Sequence, residues 1–286
     1  MKAPNLQGKT ILVTGATAGI GRAASFALAR MGAHMVLVGR DRQKAESTVA
    51  QIKAQTGNGQ VEYLLADMSV QAEVRRLAEE VRSRYPRLDV LLNNAGGVFN
   101  PRQVTKDGLE LTFALNHLGY FLLTNLLLDL LKASAPARIV NVSSEAHRLG
   151  GGRINFDDLM GEKSYNPMTA YGQSKLANIL FTYELARRLK GTGVTVNCLH
   201  PGGVATNFGQ SAPGAWAWAF KLFRPFMLTP EQGADTLVYL ASAPEVEGVT
   251  GKYWVKRRPK RSNAESYDEG VAERLWKVSE QLTGLA

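Results

Sequence analysis

Only one cysteine, Cys198, occurs among the 286 residues, so no intramolecular disulfide can form and a cysteine-rich zinc site has no ligands. Histidine is also scarce, at four. No His/Asp/Glu cluster has metal-site spacing, and His147 and His200 read as loop or packing residues. Long apolar runs are missing too. The most apolar helical stretch, residues 118–131, is interrupted by Thr124, Asn125 and Asp129. A bilayer span needs about 20 mainly apolar residues, so this stretch reads as a buried helix. Residues 1–9 contain no apolar stretch of the kind a secretory signal needs. The expectation is a cytoplasmic protein in a reducing compartment.

Negative charge is in short supply. Against 34 Lys+Arg stand 25 Asp+Glu, a formal net charge of +9, with a pI of about 9.6. Such a balance raises nucleic-acid or membrane-surface partners, but the excess is local. Lys256, Arg257, Arg258, Lys260 and Arg261 place five positive charges in six residues, without which the charge would be +4. No nucleic-acid-binding motif accompanies them. The basic C-terminal segment, 256–286, is expected to open as a solvated loop or a weak anionic contact.

Hydrophobic residues make up 45 % of the chain, enough to fill a sizeable core and to exclude intrinsic disorder. Short β-branched runs alternate with longer helix-like stretches, the pattern of a parallel sheet covered on both faces. Strands are expected at 10–14, 34–38, 61–66, 90–93, 138–142, 195–199 and 251–255. Helices are expected at 19–31, 42–55, 71–85, 109–132, 170–190, 231–242 and 268–282. No repeat and no linker rich in Pro, Gly or Ser divides the chain, which reads as one α/β domain, 1–286, of about seven strands.

The first strand runs into Thr14-Gly15-Ala16-Thr17-Ala18-Gly19-Ile20-Gly21, where a helix begins. Glycines at such a junction let the backbone approach a pyrophosphate, and the helix N-terminus offers unpaired N–H groups. The trio alone would also suit a tight turn; its place after the first strand makes it a dinucleotide signal. Its spacing, G-x3-G-x-G, resembles that of the short-chain dehydrogenase/reductase family. The resemblance runs from residue 9 to about 253. It includes Asp67, Asn93-Asn94-Ala95-Gly96, Asn116, Ser143-Ser144, Tyr171-Gly172-Gln173-Ser174-Lys175 and Pro201-Gly202, in that order. It implies a Rossmann-type, doubly wound sheet. It also implies a nicotinamide cofactor held by Gly15, Thr17, Gly19, Ile20, Gly21, Arg40, Asp67, Met68, Asn93, Ala95, Gly96, Tyr171, Lys175, Pro201, Gly202, Val204 and Thr206.

The second strand ends at Val38-Gly39-Arg40-Asp41-Arg42. A carboxylate at this strand end favours NAD, and an arginine nearby favours the 2′-phosphate of NADP. Arg40 takes the carboxylate's position, with Arg42 and Lys44 behind it, and a guanidinium can grip phosphate oxygens in pairs. The reading is NADP(H) over NAD(H), with Asp41 either a helix cap or an argument for NAD(H).

Tyr171 and Lys175, four apart, share one helix face. A tyrosine with its usual pKa of about 10 is a poor base near neutrality, and a nearby ammonium, together with the positive nicotinamide of the oxidised cofactor, is expected to lower that value. The family resemblance implies Tyr171 as proton donor or acceptor, Lys175 as its tuner and ribose contact, Ser144 as holder of the substrate oxygen, and Asn116 as the place of a relay water. The family pattern favours Ser144 over Ser143, and in a strand the two would point to opposite sides.

Tyr171 follows Ser144 by 27 positions, where most single-domain members leave about a dozen. The added stretch resembles the retinol-dehydrogenase-like branch, as do Asn116-His117-Leu118-Gly119, Ser174-Lys175-Leu176-Ala177-Asn178 and His200-Pro201-Gly202. That branch acts on retinoids, steroids and other bulky carbonyl or alcohol compounds, and many members carry an N-terminal membrane anchor; none is expected here. Trp216, Phe220 and Phe223 fall at i, i+4 and i+7. The region of about 204–229 reads as a lid over a hydrophobic substrate. Segment 215–226 would also suit a weak membrane-surface contact, with Lys221 and Arg224 near headgroups, or packing on the domain. The expected partner is a small hydrophobic carbonyl or alcohol, not nucleic acid. The long segment before Tyr171 favours a monomer or homodimer over a tetramer. Two rivals stand: a protochlorophyllide-reductase-like enzyme, from Asp107-Gly108-Leu109-Glu110, and a non-catalytic NADP-binding sensor or scaffold.

Overall fold

The computed structural model describes residues 4–204 and 227–286. Aliphatic runs flanked by Gly, Asn and Asp form the strands β1 (Thr10–Thr14), β2 (His34–Gly39), β3 (Val61–Leu65), β4 (Val90–Asn93), β5 (Ala137–Val142), β6 (Val194–His200) and β7 (Lys252–Val255). A short β8 (Arg258–Pro259) adds an eighth member, and the sheet order is β3-β2-β1-β4-β5-β6-β7-β8. All neighbours are parallel except β7 and β8.

Alternate side chains of each strand serve opposite faces. Ile11, Val13, Met35 and Leu37 meet Phe26 and Leu28 of α1 (Gly19–Arg30), Ile52 of α2 (Arg42–Thr56) and, further down the chain, Leu237 and Leu240. Leu12, Val36 and Leu91 face Val74 and Leu77 of α3 (Gln71–Arg84), Phe121 and Leu127 of α4 (Leu111–Ala133) and Phe181 of α5 (Pro167–Arg188). The helix carrying Leu237 and Leu240 is α6 (Pro230–Ser242), and α7 (Glu269–Thr283) closes the chain. By length and mean hydropathy, 1.4, α4 could cross a membrane, but 72 % of its most apolar window is buried within the fold, as the sequence reading expects.

The basic stretch is solvated as expected, residues 256–261 all being exposed, but it is more ordered than a loop: residues 255–259 make a two-residue hairpin, with Lys256 (φ 49°) and Arg257 (φ 58°) both left-handed. Such turns usually carry Asn-Gly, so Lys-Arg gives no signal for one, and Pro259 is tolerated because β8 is an edge. Two of the five charges are matched: Arg257 Nε donates to Asp235 (2.7 Å) and Lys260 Nζ to Glu145 (3.3 Å).

The 27-position gap is filled by 3₁₀ turns at Glu145–Arg148, Gly150–Gly152 and Phe156–Asp158. Ile154 packs with Phe113, Leu176 and Leu275, and Phe156, Leu159 and Met160 border the same cluster. Helix α5 starts at Pro167, before the expected 170, because Asn166 caps it by accepting from the Met168 and Thr169 N–H groups. Asn-Pro is a readable start signal.

Candidate active site

From β1 the chain moves outward to β2 and β3, then returns to β4 on the other side of β1. The crevice at the carboxyl ends of the strands flanking this reversal is where open α/β sheets take ligands. Gly15 (φ 66°) and Gly19 (φ 52°) turn the chain from β1 into α1. A Cβ on Gly15 would stand 2.8 Å from Ala95 Cα, and one on Gly21 would collide with the Gly15 carbonyl oxygen and Asn94 Nδ2. The N-cap of α1 is Ala18, with no side-chain cap and no acid in the first turn. A helix start without its own cap has N–H groups available to an anion. A pyrophosphate fits this cradle.

Asn94, which the sequence reading quotes in its motif but assigns no role, braces the cradle. Its Nδ2 donates to the Thr14 and Gly15 carbonyls (2.9 and 3.2 Å), and Thr14 Oγ1 accepts from the Asn94 and Ala95 N–H groups. Asn93 faces the other way. Fully buried, it donates to Thr124 Oγ1 (2.9 Å) and Asn141 Oδ1 (2.8 Å), so its side chain ties strands together beneath the site. Thr17 crowds Gly39 at the end of β2, with Cγ2 2.7 Å from where a Cβ would be. After β6, Gly202 turns left-handed (φ 93°) next to Leu228. Val204 and Ile20 both approach Gly233, so the segment after Pro201 meets the start of α1. The Met68 carbonyl abuts Gly119. Thr206 and the aromatic segment 215–226 lie outside the described residues.

At the end of β2 Arg40 is largely exposed, its nearest anion being Asp67 at 3.7 Å. Asp67 itself accepts from Ser69 N–H and Oγ (2.9 and 2.7 Å). Asp41 accepts from the Lys44 N–H (3.0 Å) as N-cap of α2, so its carboxylate has the capping role.

The two serines separate. Ser143 donates to the Lys175 carbonyl (2.7 Å) and is buried. Ser144 accepts from the Ala146 N–H (3.2 Å) and hydrogen-bonds Tyr171. His147 Nδ1 donates to the Ser144 carbonyl (2.6 Å), and His200 Nδ1 accepts from the Glu145 N–H (3.2 Å). Both histidines therefore fix the loop that carries Ser144, and burial lowers both pKa values.

Lys175 Nζ, deeply buried, donates to the Val142 carbonyl (3.1 Å) and lies 5.6 Å from the Tyr171 ring centroid. Asn116 sits in a π-helical turn, Ala114–Leu118, a distortion frequent at functional sites. Its side chain pairs with Gly97 in both directions (2.8 and 2.9 Å) and donates to Ser174 Oγ (2.9 Å). Its carbonyl accepts from Asn178 Nδ2 (2.9 Å). Ser174 and Asn178 went unassigned in the sequence reading, though both lie one helical turn from residues it names.

In the protein alone, without the charge of a bound nicotinamide, burial governs the Tyr171 pKa. Burial raises it well above the usual value, opposed only by the Ser144 hydrogen bond, and the same burial lowers Lys175 to about 7. Desolvation disfavours both charged forms, and no carboxylate is close enough to hold the lysine charged. Burial likewise raises the Cys198 thiol to about 12. Among the described residues no group of three or more His, Cys, Asp or Glu is placed to hold a metal.

A nucleotide cradle at the switch point, with a Ser–Tyr–Lys group beside it whose tyrosine and lysine are buried, defines a dinucleotide-binding oxidoreductase of the α/β class. The sequence profile of the short chain dehydrogenases matches residues 9–215, and the chain belongs to that family, in its retinol-dehydrogenase-like branch. Human retinol dehydrogenase 14 is 47 % identical over 98 % of this chain and 88 % of its own length. An uncharacterised protein from Mycobacterium paratuberculosis superposes with a TM-score of 0.80 at 35 % identity, over 99 % of this chain and 96 % of that one. The Pseudomonas aeruginosa RhlG/NADP active-site complex gives 0.70 at 28 % identity, over 88 % and 96 %.

Proposed function

We propose that this oxidoreductase uses NADP(H) to interconvert a hydrophobic carbonyl compound and its alcohol, with Tyr171 as general acid and base. The observation that carries the reading is the Ser144–Tyr171 hydrogen bond beside Lys175 at the strand ends. Bound nicotinamide supplies or accepts the hydride. In reduction Tyr171 gives its phenol proton to the substrate oxygen, which Ser144 positions. Ser144 Oγ already accepts from Ala146, so its own proton points to Tyr171 or to that oxygen. Lys175, titrating near pH 7, exchanges protons in the neutral range. The Asn116 carbonyl has a second lone pair for a water that carries the proton outward.

Gly15, Thr17, Gly19, Ile20 and Gly21 would hold the pyrophosphate. Ala95, Gly96, Lys175, Pro201, Gly202 and Val204 would border the nicotinamide half, and Asp67 and Met68 the adenine side. Arg40, exposed and only loosely paired, would take the 2′-phosphate, and the Pseudomonas complex with NADP supports that preference. Arg40→Asp is expected to lower kcat/KM with NADPH about 10- to 100-fold, the equivalent of one charge-assisted hydrogen bond of roughly 1.5–3 kcal/mol. Activity with NADH should rise. An unchanged cofactor ratio of kcat/KM would count against the assignment.

The reading places the protein in the cytoplasm as a monomer or dimer. Helix α7 supports a monomer or dimer over a tetramer: Trp276 packs on Phe121 (ring centroids 4.9 Å apart) and Phe181 (5.8 Å), covering outer surface of α4 and α5. The test of function is NADPH consumption at 340 nm with aliphatic, aromatic, steroid and retinoid carbonyls. Retinal belongs in the panel because of the relatives' name. No turnover with any of them, NADPH being bound, would refute the enzyme reading in favour of a sensor.

A further inference from the structure

A buried carboxylate and a half-buried phenol outside the Ser144–Tyr171–Lys175 set meet where the inserted segment touches α4. Glu110, 1 % exposed, caps that helix: Oε1 accepts from the Thr112 N–H and Oε2 from the Phe113 N–H, each at 2.7 Å. Tyr165, from the segment between Ser144 and Tyr171, brings its Oη to 2.8 Å from the Phe99 carbonyl and 3.2 Å from Glu110 Oε1. Thr112 Oγ1 lies 3.3 Å from the same Oη. The phenol has one proton, shared between the two acceptors, and the threonine hydroxyl donates back. Burial raises Tyr165 to about 12, so that proton stays in place through the neutral range.

The consequence falls on Phe99. Its half-buried ring folds back over its own chain, with Cζ and Cε2 3.0 and 3.1 Å from where a Gly97 Cβ would be, and Leu115 beside it. Gly97 is bound to Asn116 in both directions. A Cβ on Gly96 would lie 3.0 Å from Asn116 Oδ1 and 3.5 Å from Lys175 Nζ. Neither glycine puts a side chain between the ring and the reacting groups.

We infer that Tyr165 is a positioning residue of the substrate site: by holding the Phe99 carbonyl it sets the Phe99 ring as a wall that favours flat, apolar carbonyl and alcohol substrates. The inference rests on the oxidoreductase reading above. A planar substrate gains offset stacking on an aromatic face, a preference of about 3- to 10-fold, which a short aliphatic substrate lacks.

The test compares 2-naphthaldehyde with propanal, under NADPH, in the wild type, Tyr165→Phe, Phe99→Ala and the double variant. Tyr165→Phe should raise KM for 2-naphthaldehyde about 3- to 10-fold, with kcat within about 2-fold and propanal kinetics unchanged. Phe99→Ala should show the same selective loss, and the double variant should be no worse than Phe99→Ala, because the residues act in series. Exchange of the backbone amides 97–100 should quicken in Tyr165→Phe. Equal losses on both aldehydes, or unchanged amide exchange, overturns the inference. A wild type that binds NADPH but reduces neither aldehyde overturns the substrate reading and the selectivity with it, and amide exchange then judges the placement of Phe99 on its own.

Discussion

Tyr171→Phe is expected to lower kcat by about 10²- to 10⁴-fold, the range for removing a positioned general acid or base. NADPH affinity should be nearly unchanged. The substitution deletes one oxygen from a buried ring and leaves the Gly15–Gly21 cradle and Arg40 intact, so binding and chemistry separate. Loss of the phenol also leaves Ser144 without that partner, while its bond from the Ala146 N–H persists. The measurement pairs a fluorescence titration of NADPH with single-turnover reduction of the best substrate. Normal turnover with normal NADPH binding would remove Tyr171 from the mechanism.

Lys175→Met should be nearly as costly to turnover, about 10²-fold or more, and it carries a second signature in the cofactor-free protein. Burial lowers the folded-state pKa of Lys175 from 10.5 to about 7. Between those values the unfolded chain binds the proton and the folded one does not, so stability rises with pH across that window. Below about pH 7 both states are protonated and the full cost of burying the charge is felt. The slope has a ceiling of about 1.4 kcal/mol per pH unit. The wild type should therefore gain Tm relative to Lys175→Met between pH 7 and 9. Parallel curves would show that the ammonium is not desolvated as the geometry requires.

The glycine turn, the strand-end Arg40 and the spacing of Tyr171 and Lys175 were legible because each depends on local chain geometry. A turn that must admit a phosphate excludes side chains, and two residues four apart on a helix share a face wherever that helix lies. Assigning the Asn93-Asn94 pair was harder. Which asparagine looks up into the site and which looks down into the sheet depends on Thr14, Thr124 and Asn141, residues brought in from three other elements. The hairpin within the basic stretch was not legible for a similar reason. Its Lys256-Arg257 turn joins the adjacent β7 to β8 without the usual turn residues, and Arg257 is held by Asp235 on α6, 22 positions away.

The sequence by itself determined the order of strands and helices, the glycine turn after the first strand and which side chains meet at the candidate site. Alternating hydrophobic patterns and turn residues act over a few positions, and that is enough to specify them. Only the tertiary structure decided how those side chains behave. Burial by α5, β5 and the 94–97 loop raises the Tyr171 pKa and lowers that of Lys175, because removal from water penalises both charged forms and no counter-charge repays it. The same packing set Tyr165 on Glu110 and the Phe99 carbonyl, a contact between residues 55 and 66 positions apart that no local pattern encodes.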